Sequence, residues 1–195
     1  MQNKEFDTFE VLNTSWNILK DNFFYFFGYL VILSLLTVIP IAGFVLAAIM
    51  SGGYIIVSFK HIKSLKTDFH DFFAIIEHFA PMALFVIAAG AIIIVGFFIL
   101  VIPGIYFCIS YILAAPLIID RKMGFWKAME ESRNITGRNF ARYAFFTIIL
   151  LILNFAGLIP MGLGLLITIP LSAVAISVLY SEAVGIVTDD SELRS

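Results

Sequence analysis

The chain has 195 residues, of which 61% are hydrophobic and only 13% are charged, and its mean hydropathy is +1.01. This composition excludes a water-soluble globule and a disordered chain, and the net charge of −2 excludes a strongly basic nucleic-acid binder. The single cysteine, Cys108, excludes an internal disulfide framework and a cysteine-based metal cluster.

The N-terminal segment predicts an amphipathic helix. Its apolar residues recur at the helical spacing of three or four: Phe9, Leu12, Trp16, Leu19 and Phe23. Because apolar sequence follows directly, we expect this helix to lie in the headgroup plane with its apolar face towards the lipid. The alternative is a helix that packs on a neighbouring loop. No small-residue cleavage site follows a short apolar core, so we do not expect a removable signal peptide.

Three long stretches then contain no charged residue. They are 22–59, 79–119 and 143–181, with 38, 41 and 39 residues. A charge at the membrane centre costs roughly 2.5 to 3.5 kcal/mol, so charge-free apolar sequence predicts membrane spans. As one helix, 38 residues would reach about 57 Å, nearly twice the ~30 Å hydrocarbon layer. Each stretch therefore predicts two short helices.

Proline and glycine near the middle of each stretch predict the turns, around Pro40, Pro103 and Pro160. The predicted spans are 23–39, 42–59, 80–102, 104–119, 143–158 and 163–181. The predicted fold is thus an all-α membrane protein, with six short transmembrane helices in three hairpins that are broken by Pro and Gly. An interfacial amphipathic segment precedes each hairpin. Re-entrant hairpins that do not fully cross the bilayer are a second interpretation.

The distribution of positive charge predicts the orientation. All twelve lysines and arginines lie in 1–22, 60–78, 120–142 and 182–195, which share one side if there are six crossings. The positive-inside rule places that side, with both termini, in the cytoplasm. We therefore predict a multi-pass protein of the bacterial inner membrane, with 1–195 as a single transmembrane domain.

A weak internal repeat supports this arrangement. Ser15 and Asn22 match Ser132 and Asn139 at a constant offset of 117 residues, and both stretches lead into a predicted hairpin. A looser relative precedes the middle hairpin. We interpret the chain as three copies of one unit, at about 6–59, 68–119 and 124–185.

One loop contains metal-type ligands. They are Asp68, His70, Asp71 and His78. Two histidines with carboxylates are able to hold zinc or iron, but the spacing fits no known ligand motif. We therefore expect a solvated polar face, with no metal and no other cofactor.

The central loop is basic, through Arg121, Lys122, Lys127, Arg133, Arg138 and Arg142. Cations beside a bilayer attract anionic headgroups, with about 1 kcal/mol for each residue near the surface. The sequence therefore predicts a site for lipid headgroups. The alternative is that these residues only set the membrane topology.

Four polar residues within the predicted spans are candidates for lining a cavity: Tyr106, Ser110, Tyr111 and Asn154. Such residues also form hydrogen bonds between membrane helices, which is the alternative interpretation. No acidic residue, lysine, arginine or histidine lies within the six spans, which argues against proton- or sodium-coupled transport.

Three segments resemble a known family. They are 102–106 (IPGIY), 115–120 (APLIID) and 124–133 (GFWKAMEESR), and Ile169-Pro170 with Tyr180 also fits. They resemble bacterial integral membrane proteins related to the membrane domain fused to some glycerophosphodiester phosphodiesterases, and the likeness covers most of 20–185. The resemblance implies a multi-helix inner-membrane protein. We expect no phosphodiesterase activity, because this chain has no second domain for that chemistry.

The sequence contains no nucleophile elbow, phosphate-binding glycine loop or zinc-protease motif. We therefore expect a non-enzymatic membrane protein that binds lipid headgroups or partner membrane proteins, and no nucleic acid. A transporter or channel for a lipid-like or apolar solute is the alternative. A membrane enzyme acting in the headgroup plane is the second alternative.

Overall fold

The computed structural model of the protein describes residues 7–36, 42–159 and 164–188, which form helices and no strand. In chain order the elements are α1 Thr8–Asp21, α2 Phe23–Leu36, α3 Ala42–Met50, α4 Gly52–Ile62, a 3-10 helix Phe69–His78, α5 Phe79–Ile99, α6 Val101–Ser110, α7 Ala114–Arg121, α8 Phe125–Arg138, α9 Phe140–Leu158 and α10 Leu165–Ala183. The long apolar runs form helices because a helix satisfies its backbone hydrogen bonds within the segment.

Five helical stretches are long and apolar enough to cross a bilayer. They are Val45–Ile62, Phe69–Ile99, Val101–Arg121, Phe140–Leu158 and Leu165–Ala183. The first predicted span, 23–39, continues beyond the described residues, and its described part contains the shorter apolar helix Phe23–Ile32. The described part of the chain therefore has five candidate spans where the sequence predicted six.

The helices α5 and α9 face outwards along most of their length. Only 17% of the most apolar part of Phe69–Ile99 and 22% of that of Phe140–Leu158 are buried, whereas 61% is buried for Val45–Ile62. Phe98 on α5 and Phe155 on α9 are 88% and 67% exposed. Soluble monomers rarely expose a contiguous apolar surface of more than a few hundred Å². The outer faces of α5 and α9 are therefore suited to contact with lipid.

The span Val45–Ile62 is interrupted at Ser51, between α3 and α4. The buried Tyr29 hydroxyl donates to the Met50 carbonyl at 2.6 Å and lies 3.1 Å from the carbonyl oxygen of Phe72 in the 3-10 helix. A Cβ on Gly53 would collide with that Phe72 oxygen, so glycine allows the 3-10 helix to approach α4 closely. This contact positions the polar side chains described below.

A second break, at 111–113, separates α6 from α7. The Ser132 hydroxyl on α8 donates to the Ser110 carbonyl at 2.6 Å and accepts from the Leu113 N–H at 3.2 Å. Backbone groups freed within an apolar layer need such partners, because no water is present to replace them. Ser132 therefore stabilises the break and joins α8 to it.

The turn between α5 and α6 lies at Leu100, three residues before the predicted position around Pro103. Leu100 is extended, with φ −160° and ψ 142°. Pro103 instead lies in the first turn of α6, where a backbone N–H has no partner within the helix and its absence is tolerated. A Cβ on Gly96 would lie 3.0 Å from the Gly104 nitrogen, so glycine allows α5 and α6 to pack closely.

The predicted turns around Pro40 and Pro160 lie outside the described residues. Beside the second of them, a Cβ on Gly164 would lie 2.7 Å from the Cα of Gly157, so α9 and α10 approach closely there. The two helices are also joined by a hydrogen bond, which the Asn154 amide donates to the Ser172 hydroxyl at 2.8 Å.

The helices α1 and α8 have equivalent bounds. Both contain 14 residues, and α8 begins and ends 117 residues after α1. One residue separates each of them from an apolar helix: α2 follows α1, and α9 follows α8. Ser15 and Ser132 are fully buried at matching positions, whereas the matching aromatics Phe9 and Trp126 are 69% and 63% exposed.

Candidate functional site

The charged segments of the chain meet at one end of the helices. The Asn22 amide, after α1, lies 3.0 Å from His61 Nδ1 at the end of α4. Lys63, in the loop after α4, donates to the carbonyl of Thr188, which follows α10. The Thr188 hydroxyl donates in turn to the Asp120 carboxylate of α7 at 2.7 Å. These contacts connect residues from all four segments that the sequence analysis assigned to one side.

A buried carboxylate, Asp120, ties α7 to α10 and to the residues that follow α10. Its Oδ1 accepts from the backbone N–H groups of Val187 and Thr188, each at 2.8 Å. Its Oδ2 accepts from the Tyr180 hydroxyl at 2.6 Å and lies 3.8 Å from Arg121 Nε. Arg121 Nε also donates to the Tyr180 hydroxyl at 3.2 Å. Burying a charge is costly unless it is paired and hydrogen-bonded, and Asp120 satisfies both conditions.

A second ion pair joins α4 to the 3-10 helix. Lys60 Nζ lies 2.7 Å from Asp71 Oδ1, and the two side chains are only 9% and 14% exposed. Asp71 Oδ2 accepts from the Asp68 N–H at 2.7 Å, and the Asp68 carboxylate accepts from the Phe69 N–H at 2.6 Å. These are capping hydrogen bonds, which satisfy the free donors at the start of a helix. Both carboxylate oxygens of Asp71 are therefore engaged, Oδ1 by Lys60 and Oδ2 by the start of the 3-10 helix.

A cavity of about 460 Å³ opens beside this ion pair, a volume typical of small-molecule sites. It lies between α4, the 3-10 helix, the end of α7 and Thr188. The charged and imidazole side chains in its wall are Lys60, His70, Asp71, Glu77, His78 and Lys122. Its apolar wall includes Ile56, Phe73, Ile76 and Ile119. The cavity therefore offers both polar and apolar surface.

The four metal candidates are not grouped as a metal site. Within the described ranges, no three side chains of His, Cys, Asp or Glu are placed to hold a metal ion. Asp68 and Asp71 are engaged in the cap and the ion pair, which explains why they do not converge on a ligand. His70 and His78 instead line the cavity.

The six basic residues predicted to bind headgroups lie in different surroundings. Arg121 is half-buried against Asp120 and Tyr180, and Lys122 lines the cavity beside the 3-10 helix. The other four lie on α8 or at the start of α9: Lys127, Arg133, Arg138 and Arg142. The first three of these are exposed, and Arg142 is half-buried.

Arg133 also lines a cleft of about 120 Å³ on the surface of α8. The lining residues are Tyr111, Trp126, Met129, Glu130 and Arg133. This cleft brings together Arg133, which was predicted to bind headgroups, and Tyr111, which was predicted to line a cavity. An exposed tryptophan beside an arginine is typical of the membrane–water interface.

The remaining candidates for cavity lining have separate surroundings. Tyr106 stacks on Phe140, with ring centroids 5.4 Å apart. Ser110 is buried, and its carbonyl accepts from Ser132. Asn154 forms the hydrogen bond between α9 and α10 that was the alternative interpretation of the sequence. Of the four, only Tyr111 is found here in the wall of a described cleft.

Sequence reasoning did not identify Lys60, Asp120 and Tyr180 as members of a site. The available signal was position, because Lys60 and Asp120 are the first charged residues after two of the apolar stretches. A charge at such a place is close to the apolar layer and needs a partner, but the sequence does not show which partner the fold supplies.

No family description, curated protein or solved structure matches this chain. The resemblance of 102–133 to the membrane domain of glycerophosphodiester phosphodiesterases therefore stays a prediction. The described residues define an all-helical protein whose apolar helices are suited to a membrane.

Proposed function

We propose that the chain is a non-enzymatic, multi-pass protein of the bacterial inner membrane that binds anionic lipid headgroups on α8. Three hairpins cross the membrane, and both termini and both charged loops lie in the cytoplasm. The contacts that join Asn22 to His61 and Lys63 to Thr188 support this topology, because they gather the charged segments at one end. All the positive charge is in those segments, as the positive-inside rule requires of the cytoplasmic side.

We also propose that the hairpins belong to repeated units with an interfacial helix before the first and the third. The equal length and constant offset of α1 and α8 support this. On α1, Val11, Ser15 and Ile18 are buried against the protein, while Phe9 and Trp16 remain exposed on a neighbouring face. This second face is the one that would enter the headgroup layer.

The observation that carries headgroup binding is the cleft on α8. Arg133 lines this cleft together with Trp126 and Tyr111, on a helix whose other face is packed into the protein. Arginine matches the geometry of a phosphate oxygen pair, and an exposed tryptophan suits the headgroup level. The exposed Lys127 and Arg138 add positive charge to the same helix.

Native mass spectrometry of the detergent-purified protein with added phosphatidylglycerol tests headgroup binding. Arg133→Gln should weaken the lipid adduct about five-fold, the effect of losing about 1 kcal/mol from one cation. Glu130→Gln is the matched control, because it removes the acidic residue of the same cleft and should maintain or strengthen binding. Equal adduct levels in the Arg133→Gln variant and the parent would contradict the proposal.

Cysteine labelling tests the topology. In a Cys108→Ser background, single cysteines replace Leu100, at the turn between α5 and α6, or Lys127 on α8. A membrane-impermeant maleimide should label Leu100→Cys in intact spheroplasts and Lys127→Cys only after permeabilisation. Labelling of both positions from the same side would refute the hairpin arrangement.

A further inference from the structure

We infer that the cavity between α4, the 3-10 helix and α7 binds the headgroup of a zwitterionic phospholipid with a primary ammonium, of the phosphoethanolamine type. This inference rests on the proposed membrane location. It concerns a different place from the α8 cleft and a different lipid class.

The cavity lies where polar and apolar surroundings meet. Ile56 and Ile119 in its wall belong to helices that are apolar up to Lys60 and Asp120, and these charged residues mark the end of the apolar sequence. The 3-10 helix leads directly into the apolar α5, which begins at Phe79. The cavity is therefore at the level where a phospholipid carries its headgroup.

The charges in the wall are balanced. Lys60 and Asp71 neutralise each other in their ion pair, and Lys122 and Glu77 add one positive and one negative charge. A purely anionic occupant would meet Glu77, and a purely cationic one would meet Lys122. A zwitterion finds an opposite charge for each of its own, which is the electrostatic basis of its selection.

A second cleft adjoins the cavity and connects it to α5. It measures about 250 Å³, shares Glu77, His78 and Lys122 with the cavity, and reaches Pro81 in the first turns of α5. The neighbouring Leu84 is 50% exposed on the outward face of this helix. An occupant with its headgroup in the cavity would therefore have a path along α5 to the bilayer. A soluble metabolite would make no use of this path.

The acidic side chains favour a primary ammonium over a quaternary one. A primary ammonium donates three hydrogen bonds, and those accepted by carboxylates are among the strongest in proteins. A trimethylammonium group has no donor to offer Glu77. The phosphate of the same headgroup would accept from Lys122 and from the imidazoles of His70 and His78.

The test is native mass spectrometry of the detergent-purified full chain with phosphatidylethanolamine, phosphatidylcholine and phosphatidylglycerol of identical acyl chains. The parent should retain phosphatidylethanolamine in preference to phosphatidylcholine. Glu77→Gln and Lys122→Asn should each reduce that retention about five-fold, the upper range for one exposed ion pair. Asparagine is chosen because Lys122 has a φ of 49°, which asparagine tolerates. Lys66→Asn, an exposed cation outside the cavity wall, is the control and should change nothing.

Unchanged retention in Glu77→Gln and Lys122→Asn, or equal retention of ethanolamine and choline lipids by the parent, would overturn the inference. Soluble glycerophosphoethanolamine, at the same concentration as phosphatidylethanolamine, should not displace the bound lipid. Displacement equal to that by phosphatidylethanolamine would overturn the assignment to a membrane lipid. Phosphatidylglycerol binding by Arg133→Gln, measured in parallel, reports on the α8 cleft alone. Failure at the cavity is thereby distinguished from failure of the proposed function.

Discussion

Replacing Asp120 with alanine removes the acceptor that holds the chain after α10 against α7. The carboxylate receives four hydrogen bonds, two from backbone N–H groups and two from hydroxyls, at 2.6 to 2.8 Å. The Thr188 hydroxyl has a second acceptor, the Asp120 backbone carbonyl, at 3.0 Å. Among the hydrogen bonds described here, the buried Tyr180 hydroxyl donates to Asp120 alone, because its contact with Arg121 uses the oxygen as an acceptor.

Three donors determine the size of the effect: the two backbone N–H groups and the Tyr180 hydroxyl. Each N–H of Val187 and Thr188 would lose its carboxylate acceptor, and a stranded buried donor costs about 1–3 kcal/mol. Val187 is 65% exposed, so water reaches this segment and the lower part of the range applies. We therefore expect Asp120→Ala to reduce the free energy of unfolding by about 2–3 kcal/mol.

Asp120→Asn is the informative comparison. The amide oxygen is able to accept from both N–H groups, but the amide nitrogen is a donor and does not accept from the Tyr180 hydroxyl. The acceptor of that hydroxyl and the charge beside Arg121 are lost, so we expect about 1–2 kcal/mol. Glu130→Gln on the exposed face of α8 is the control, with an expected change within about 0.5 kcal/mol.

Two measurements apply to these variants. Thermal unfolding in detergent ranks their stabilities, and hydrogen–deuterium exchange follows the amides of Val187 and Thr188 directly. In Asp120→Ala these amides should exchange faster, whereas Asp120→Asn should keep most of their protection. Equal exchange at Val187 and Thr188 in the parent and the alanine variant would show that the carboxylate does not hold this segment.

Two further predictions concern packing and charge within the helices. Lys60→Met should destabilise the protein by about 3–5 kcal/mol because it leaves Asp71 buried without its cation, and adding Asp71→Asn should restore part of the loss in thermal unfolding. A lone Lys60→Met variant as stable as the parent would contradict this. Gly157→Ala should cost about 1–3 kcal/mol, since its Cβ would lie 2.8 Å from Thr168 Oγ1. Gly90→Ala, with no atom within 4 Å of its Cβ, should be neutral or stabilising, and a similar loss in both variants would refute the packing argument.

The apolar helices were predictable from the sequence, and the charged segments that it grouped together are in contact. Hydropathy and charge act on each segment independently, so a run such as 79–119 predicts apolar helices without knowledge of its neighbours. The bounds were less accurate. The sequence predicted the turn around Pro103 because proline breaks helix interiors, but Pro103 is accommodated in the first turn of α6 and the turn lies at Leu100.

The arrangement of the candidate site was decided by the tertiary structure. Asp120 meets Thr188 across 68 residues of sequence, and Asn22 meets His61 across 39. Residue types and local spacing contain no information about such pairs, because many partners would satisfy the same charge equally well. The loop 68–78 shows the difference most clearly. Its polar residues were expected to form a solvated face, but Lys60 on a separate helix engages Asp71 in a largely buried ion pair, and the loop forms one wall of a cavity.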